Sequence, residues 1–181
     1  RLSGKRDEAG KTLNQILEFD PLNHFARFEK YLTTKTPASK VEFTSLIRNE
    51  MPQETYLNLA VWYFNLGLLQ EAKTILENSP KNAEVLYWQA FIADKLGEKN
   101  ADSLIKQADL STVSYVFPFR SETAEVLNWV QTKSNNWQPK YYSALIYYNK
   151  NNATRGNEIL KSLGNSPNFA PFYALRAEKI A

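Results

Sequence analysis

Chemistry in this chain has few residue types to draw on. There is one histidine, no cysteine, and six glycines that never cluster. His24 stands between Asn23 and Phe25 at a helix start. No nucleophile or orienting acid lies at a spacing that completes a triad with it, so a capping or surface role is expected. Metal centres draw on several His, Cys or grouped carboxylates, and the acidic residues here form no Asp-x-Asp-x-Asp-Gly loop. Isolated glycines build no phosphate cradle. Carboxylate pairs such as Asp7 and Glu8 are chain neighbours, whereas glycoside hydrolysis needs two opposed across a cleft. No catalytic residue, metal ligand or cofactor is assigned, and no catalysis is expected.

The composition points toward surface recognition. Across 181 residues, 43% are hydrophobic and 13% aromatic, which is enough apolar mass for a folded core and too much for disorder. Lys and Arg number 22 against 19 Asp and Glu, for a net charge of +3. These charges are spread along the chain, without the basic stripe of a nucleic-acid binder. No run approaches the roughly 18 apolar residues of a membrane span. A cysteine-free chain suits cytosol and periplasm alike, so the compartment is left open. The chain opens at Arg1, inside what reads as a turn whose preceding helix is missing, and a piece of a larger protein is expected.

The elements that display this surface repeat. A turn residue, a polar helix start, a small residue and then Leu recur as Gly4, Ala9 and Leu13; as Gly67, Ala72 and Leu76; as Gly97, Ala101 and Leu104; and as Asn151, Gly156 and Leu160. Gly67 and Gly97 stand thirty residues apart, and a helix–turn–helix of such a period is the mark of a repeat array. Apolar spacing predicts helices over 7–19, 24–33, 39–49, 52–66, 70–78, 84–96, 99–109, 122–133, 139–149, 154–163 and 171–180. Ser39 and Glu42 have the spacing of a capping box for the third. The segment 53–66 is apolar on two faces, as in a helix sandwiched between neighbours. From Leu110 to Arg120 the rhythm breaks into β-branched and aromatic residues around Pro118, which forbids a continuous helix. This connector is expected to be pinned by Val113, Val116, Phe117 and Phe119; an inserted contact loop is the sharper alternative.

The units resemble tetratricopeptide repeats, whose first helix reads W-x2-L-G-x2-Y. The matching positions hold Tyr56, Leu59, Ala60, Tyr63, Gly67, Ala72 and Leu76 in one unit. In another they hold Lys140, Ser143, Ala144, Tyr147, Asn151, Gly156, Leu160 and Pro167. Two units run shorter than the usual 34 residues, so the likeness is to the repeat class at large. The segments 20–29, 117–122 and 166–173 are further similar to repeat tails of large Bacteroidetes-type proteins, in which a β-rich domain of unknown function precedes the repeats. The resemblance implies an all-α, right-handed superhelix of about nine to ten helices. It would form one domain with a half repeat over 1–22, units near 23–52, 53–82 and 83–109, a connector over 110–120, and further units over 121–181.

By the same resemblance the first helix of each unit lines a concave groove. Carried onto this chain, the partner-binding wall is Phe28, Leu57, Val61, Phe64, Tyr87, Phe91, Tyr141, Leu145 and Tyr148. Plain packing inside the superhelix is the competing assignment for the same side chains. Leu32, Val61, Phe91 and Leu145 stand where chaperone-tail clamps carry Lys or Asn, so that partner is not expected. The implied function is a non-catalytic scaffold for a protein segment or another domain. The rival is a carbohydrate-binding accessory that uses Trp62, Trp88, Trp129 and Trp137. Alanine at Tyr87, Phe91 or Tyr141 should weaken a bound partner by about 1–3 kcal/mol if these residues are anchors. A comparable fall in unfolding midpoint, with binding spared, assigns them to the core.

Overall fold

Short polar side chains start several of the helices. In the computed structural model, which describes residues 1–180, the side chains of Asn23, Asn82, Asn136 and Asn152 accept hydrogen bonds from backbone N–H groups of Ala26, Val85, Gln138 and Arg155. Each meets an N–H left over at a helix start. The described residues are all-α. In chain order the helices are α1 Arg6–Phe19, α2 His24–Thr34, α3 Pro37–Thr44, α4 Pro52–Asn65, α5 Leu69–Glu77 and α6 Ala83–Lys95. They continue with α7 Ala101–Asp109, α8 Ser121–Val130, α9 Trp137–Asn149, α10 Ala153–Ser162 and α11 Ala170–Ile180. Eleven helices are one or two more than the repeat resemblance implies.

One turn recurs. The N–H of Leu68 reaches back to the Tyr63 carbonyl, that of Glu98 to Ala93, and that of Asn152 to Tyr147, at 2.9, 2.9 and 2.8 Å. These are the six-to-one bonds of a helix closed by a left-handed residue. That residue is Gly67 at φ 74°, Gly97 at φ 72° and Asn151 at φ 57°. The small residue that follows each turn sits at a close approach. Ala72 and Ala101 are buried, and a Cβ on Gly156 would come within 2.8 Å of the Tyr148 ring.

The chain divides into two compact units, with the boundary between Leu59 and Ala60. In the first, α2 packs on α1 and α3. Phe28 and Phe43 meet at 5.1 Å, and Tyr56 stands edge-on to Phe43 at 5.9 Å. The capping box falls on Thr36 and Ser39, three residues before the expected pair, and α3 ends at Thr44. Pro37 decides this, because its preset φ fits the first turn of a helix. Glu42 is left to pair with Lys30 at 3.0 Å. In the second unit α6 packs on α5, α7 and α8, α9 on α8 and α10, and α10 on α11. From Ala83 to Ala93 every residue of α6 but Gln89 is buried.

His24 gives the first unit a pH dependence. Its Nδ1 is buried and meets no hydrogen-bond partner. Burial and then the Arg27 guanidinium hold its pKa below the ordinary 6.5, against a smaller upward pull from Asp20. The unfolded chain takes up this proton near pH 6.5 and the folded chain only below it, so the stability given by the neutral ring is lost as pH falls through 6.5. The unfolding midpoint should drop between about pH 7.5 and about pH 5.5, and His24→Gln should flatten that slope. A slope identical in the variant would assign the effect elsewhere.

Candidate functional site

The nine residues expected to form a binding wall lie in two environments. Phe28, Leu57, Val61, Tyr87, Phe91 and Tyr141 are buried, whereas Phe64, Leu145 and Tyr148 are half-exposed. Phe91 is enclosed by Phe64, Trp88 and Trp129 at 5.8, 6.2 and 5.4 Å. Tyr141 meets Trp137, Phe169 and Phe172 at 6.0, 5.9 and 6.1 Å. Tyr148 donates its hydroxyl to Asn157 at 2.6 Å. The six buried residues are at most 7% exposed. Of the tryptophans offered for sugar stacking, Trp88 is fully buried and Trp62 exposed; Trp129 and Trp137 are half-buried.

Exposed aromatics stand singly at Phe19, Trp62 and Tyr173 and gather as a group of three in the connector over 110–120. Pro118 excludes helix there and drives Phe117 into the extended region. Ser114 and Tyr115 form a turn, with Tyr115 at φ 60°, and Arg120, at the start of α8, is extended at φ −77° and ψ 138°. Side chains alternate along this run. Val116, Pro118 and Arg120 are buried, while Tyr115, Phe117 and Phe119 are 78%, 60% and 42% exposed. Period-two alternation is the signature of an extended strand with one face covered. The expectation that Phe117 and Phe119 pin the connector is thus corrected: Val116, Pro118 and Arg120 pin it, and the two phenylalanines face water.

Both ends of the connector are tied to the helices. At its start the Asp109 carboxylate accepts from the Tyr87 hydroxyl at 2.7 Å and from Ser134 Oγ at 2.6 Å. Asn136 Nδ2 donates to the Asp109 carbonyl, and Gln138 Nε2 to the Ser111 carbonyl, at 3.2 and 3.1 Å. Burial, and then the bond to Asp109, push the Tyr87 hydroxyl far above its ordinary pKa, so it stays a donor.

At the other end Arg120 Nη1 lies 3.7 Å from Glu84 Oε1, with the two side chains 6% and 1% exposed. The Thr123 hydroxyl donates to the same Glu84 oxygen at 2.9 Å and accepts from the Trp88 indole N–H at 3.0 Å. The Tyr142 hydroxyl is raised in pKa by burial first and by the Glu84 carboxylate second. Arg120 also lies 4.3 Å from the centre of the Phe119 ring, so a single guanidinium touches the core carboxylate and the exposed row together. Just beyond, Asn65 donates to Glu122 at 3.0 Å, which lowers the Glu122 pKa.

An open cleft of about 570 Å³ is lined by Asp102, Lys106, Asp109 and Lys133 among others. Its two carboxylates stand on one helix, with Asp109 already held by Tyr87 and Ser134. No trio of metal-binding side chains gathers among the described residues. No helix there is long and apolar enough to cross a membrane. Comparison of the chain with family models, curated proteins and solved structures finds no match.

Removing Glu84 alone leaves the Arg120 charge buried against a hydrocarbon. Glu84→Leu should therefore cost about 3–5 kcal/mol in urea unfolding, and adding Arg120→Met should recover most of that loss. A single-variant cost below about 1 kcal/mol would show that the pair does not anchor the connector.

Proposed function

We propose that this chain is a non-catalytic interaction scaffold, built as a tetratricopeptide-like helical superhelix, that presents its connector to a protein or peptide partner. The recurring turn and the packed neighbouring helices support the repeat assignment. One observation carries the functional reading. Tyr115, Phe117 and Phe119 form an exposed row on a segment whose alternate residues are buried, with one end hydrogen-bonded and the other ion-paired to helices. Exposed apolar rows held by a rigid support mark interaction sites. The partner then meets a surface already ordered, and the ordering cost of a flexible loop is avoided.

Half-exposed Phe64, Leu145 and Tyr148 remain available as a second contact of the groove type. A photoreactive phenylalanine placed at position 117 should give discrete protein adducts in cells of the native host, and the same label at Lys161 should give none. Carbohydrate binding is the competing outcome. Retardation in a polysaccharide affinity gel, abolished by Phe117→Ala and accompanied by no protein adduct, would replace the scaffold reading with a sugar-binding one.

A further inference from the structure

We propose that the segment 116–119 receives an extended, uncharged peptide as an added β-strand, which pairs with the backbone edge that carries Phe117 and Phe119. This rests on the reading that the connector is the contact surface. In an extended segment the N–H and C=O groups of alternate residues point to opposite edges. One edge here belongs to Val116, Pro118 and Arg120, and Pro118 leaves it one donor short. The other belongs to Phe117 and Phe119 and is complete. Among the described residues, 116–119 make no backbone–backbone hydrogen bond. Buried backbone groups are nearly always paired, so these face water and are open to a strand.

Charge and area choose the occupant. Residues 110–119 carry no charge at all, whereas exposed strand edges are commonly blocked by Lys or other charges. A charged side chain laid over Tyr115, Phe117 and Phe119 would lose water without gaining a counter-ion. At ~200 Å² for each aromatic side chain, the exposed fractions of the row amount to about 350 Å². A stable globular interface or dimer takes ~800 Å² from each partner. A single strand needs less, because main-chain hydrogen bonds add to the side-chain contacts. The left-handed Tyr115 ends the extended run on its N-terminal side, so pairing is confined to the N–H and C=O groups of Phe117 and Phe119.

The test pans a random decapeptide display library on the whole chain and measures the best synthetic peptide by fluorescence anisotropy. Selected peptides should alternate uncharged apolar and polar residues. N-methylation along one peptide edge should weaken binding more than tenfold, and along the other edge less than threefold. Phe119→Pro removes the N–H; it should bind at least tenfold more weakly than Phe119→Ala, with both variants checked by circular dichroism. Equal affinity of the two methylated peptides overturns strand addition while leaving the connector as the contact surface. Selected peptides that ignore Phe117→Ala and Phe119→Ala sink the contact surface itself. Selection of charged peptides, of none, or a concentration-dependent dimer by light scattering also overturns the proposal.

Discussion

The contact between Glu84 and Arg120 is the constraint from which the arrangement of the second unit follows. Placing two charges at 1% and 6% exposure costs several kcal/mol for each ion. That cost is offset only when the remaining valences are met, and here one carboxylate oxygen gathers partners from several elements. Glu84 stands in the first turn of α6, Thr123 in the first turn of α8, and Arg120 at the residue that caps α8. Trp88, one turn along α6, holds the Thr123 hydroxyl in place. Such a pair adds little net stability, but it tolerates few alternatives. A sliding of α8 along α6 by one turn would strand a buried charge.

The connector is fixed by the same logic. An uncharged apolar segment left loose would fold back on the nearest apolar surface. Arg120 prevents this at one end and Ser111 at the other, while Val116 and Pro118 fill the covered face between them. With alternate positions committed inward, Tyr115, Phe117 and Phe119 have nowhere to go but out. Exposure of three aromatics is thus a consequence of what is buried.

Much of the helix order is legible in the sequence, for local reasons. Asn23, Asn82 and Asn152 cap where short acceptors precede apolar runs, and Gly67 and Gly97 stop helices where a left-handed residue is needed. Local cues also compete, which moves the start of α3: Thr36 with Pro37 outbids Ser39 with Glu42. The site is far less legible. Periodicity places Tyr87, Phe91 and Tyr141 on a face without saying whether solvent or another helix meets it. In the connector a hydrophobicity reading sends Phe117 and Phe119 inward and Arg120 outward. The reverse occurs because the charge of Arg120 is met by Glu84, thirty-six residues earlier in the chain. Pro118 is the one available cue, since it leaves its own edge short of a donor and so marks the other as complete.

Burial of the expected groove residues bears directly on how such a chain can bind. Phe91, Trp88, Phe64 and Trp129 form a continuous aromatic cluster within 6.2 Å of one another along its contacts. Trp88 and Phe91 are buried in that cluster and stiffen the support, while Phe64 and Trp129 keep part of their surface in solvent. On the proposed reading, binding draws chiefly on the connector, whose exposed aromatics stand outside the cluster. A preformed extended segment has lost its backbone entropy during folding, at roughly 1–2 kcal/mol per residue, before any partner arrives. The entropy lost on association falls instead on the partner, which favours a short strand over a long flexible tail.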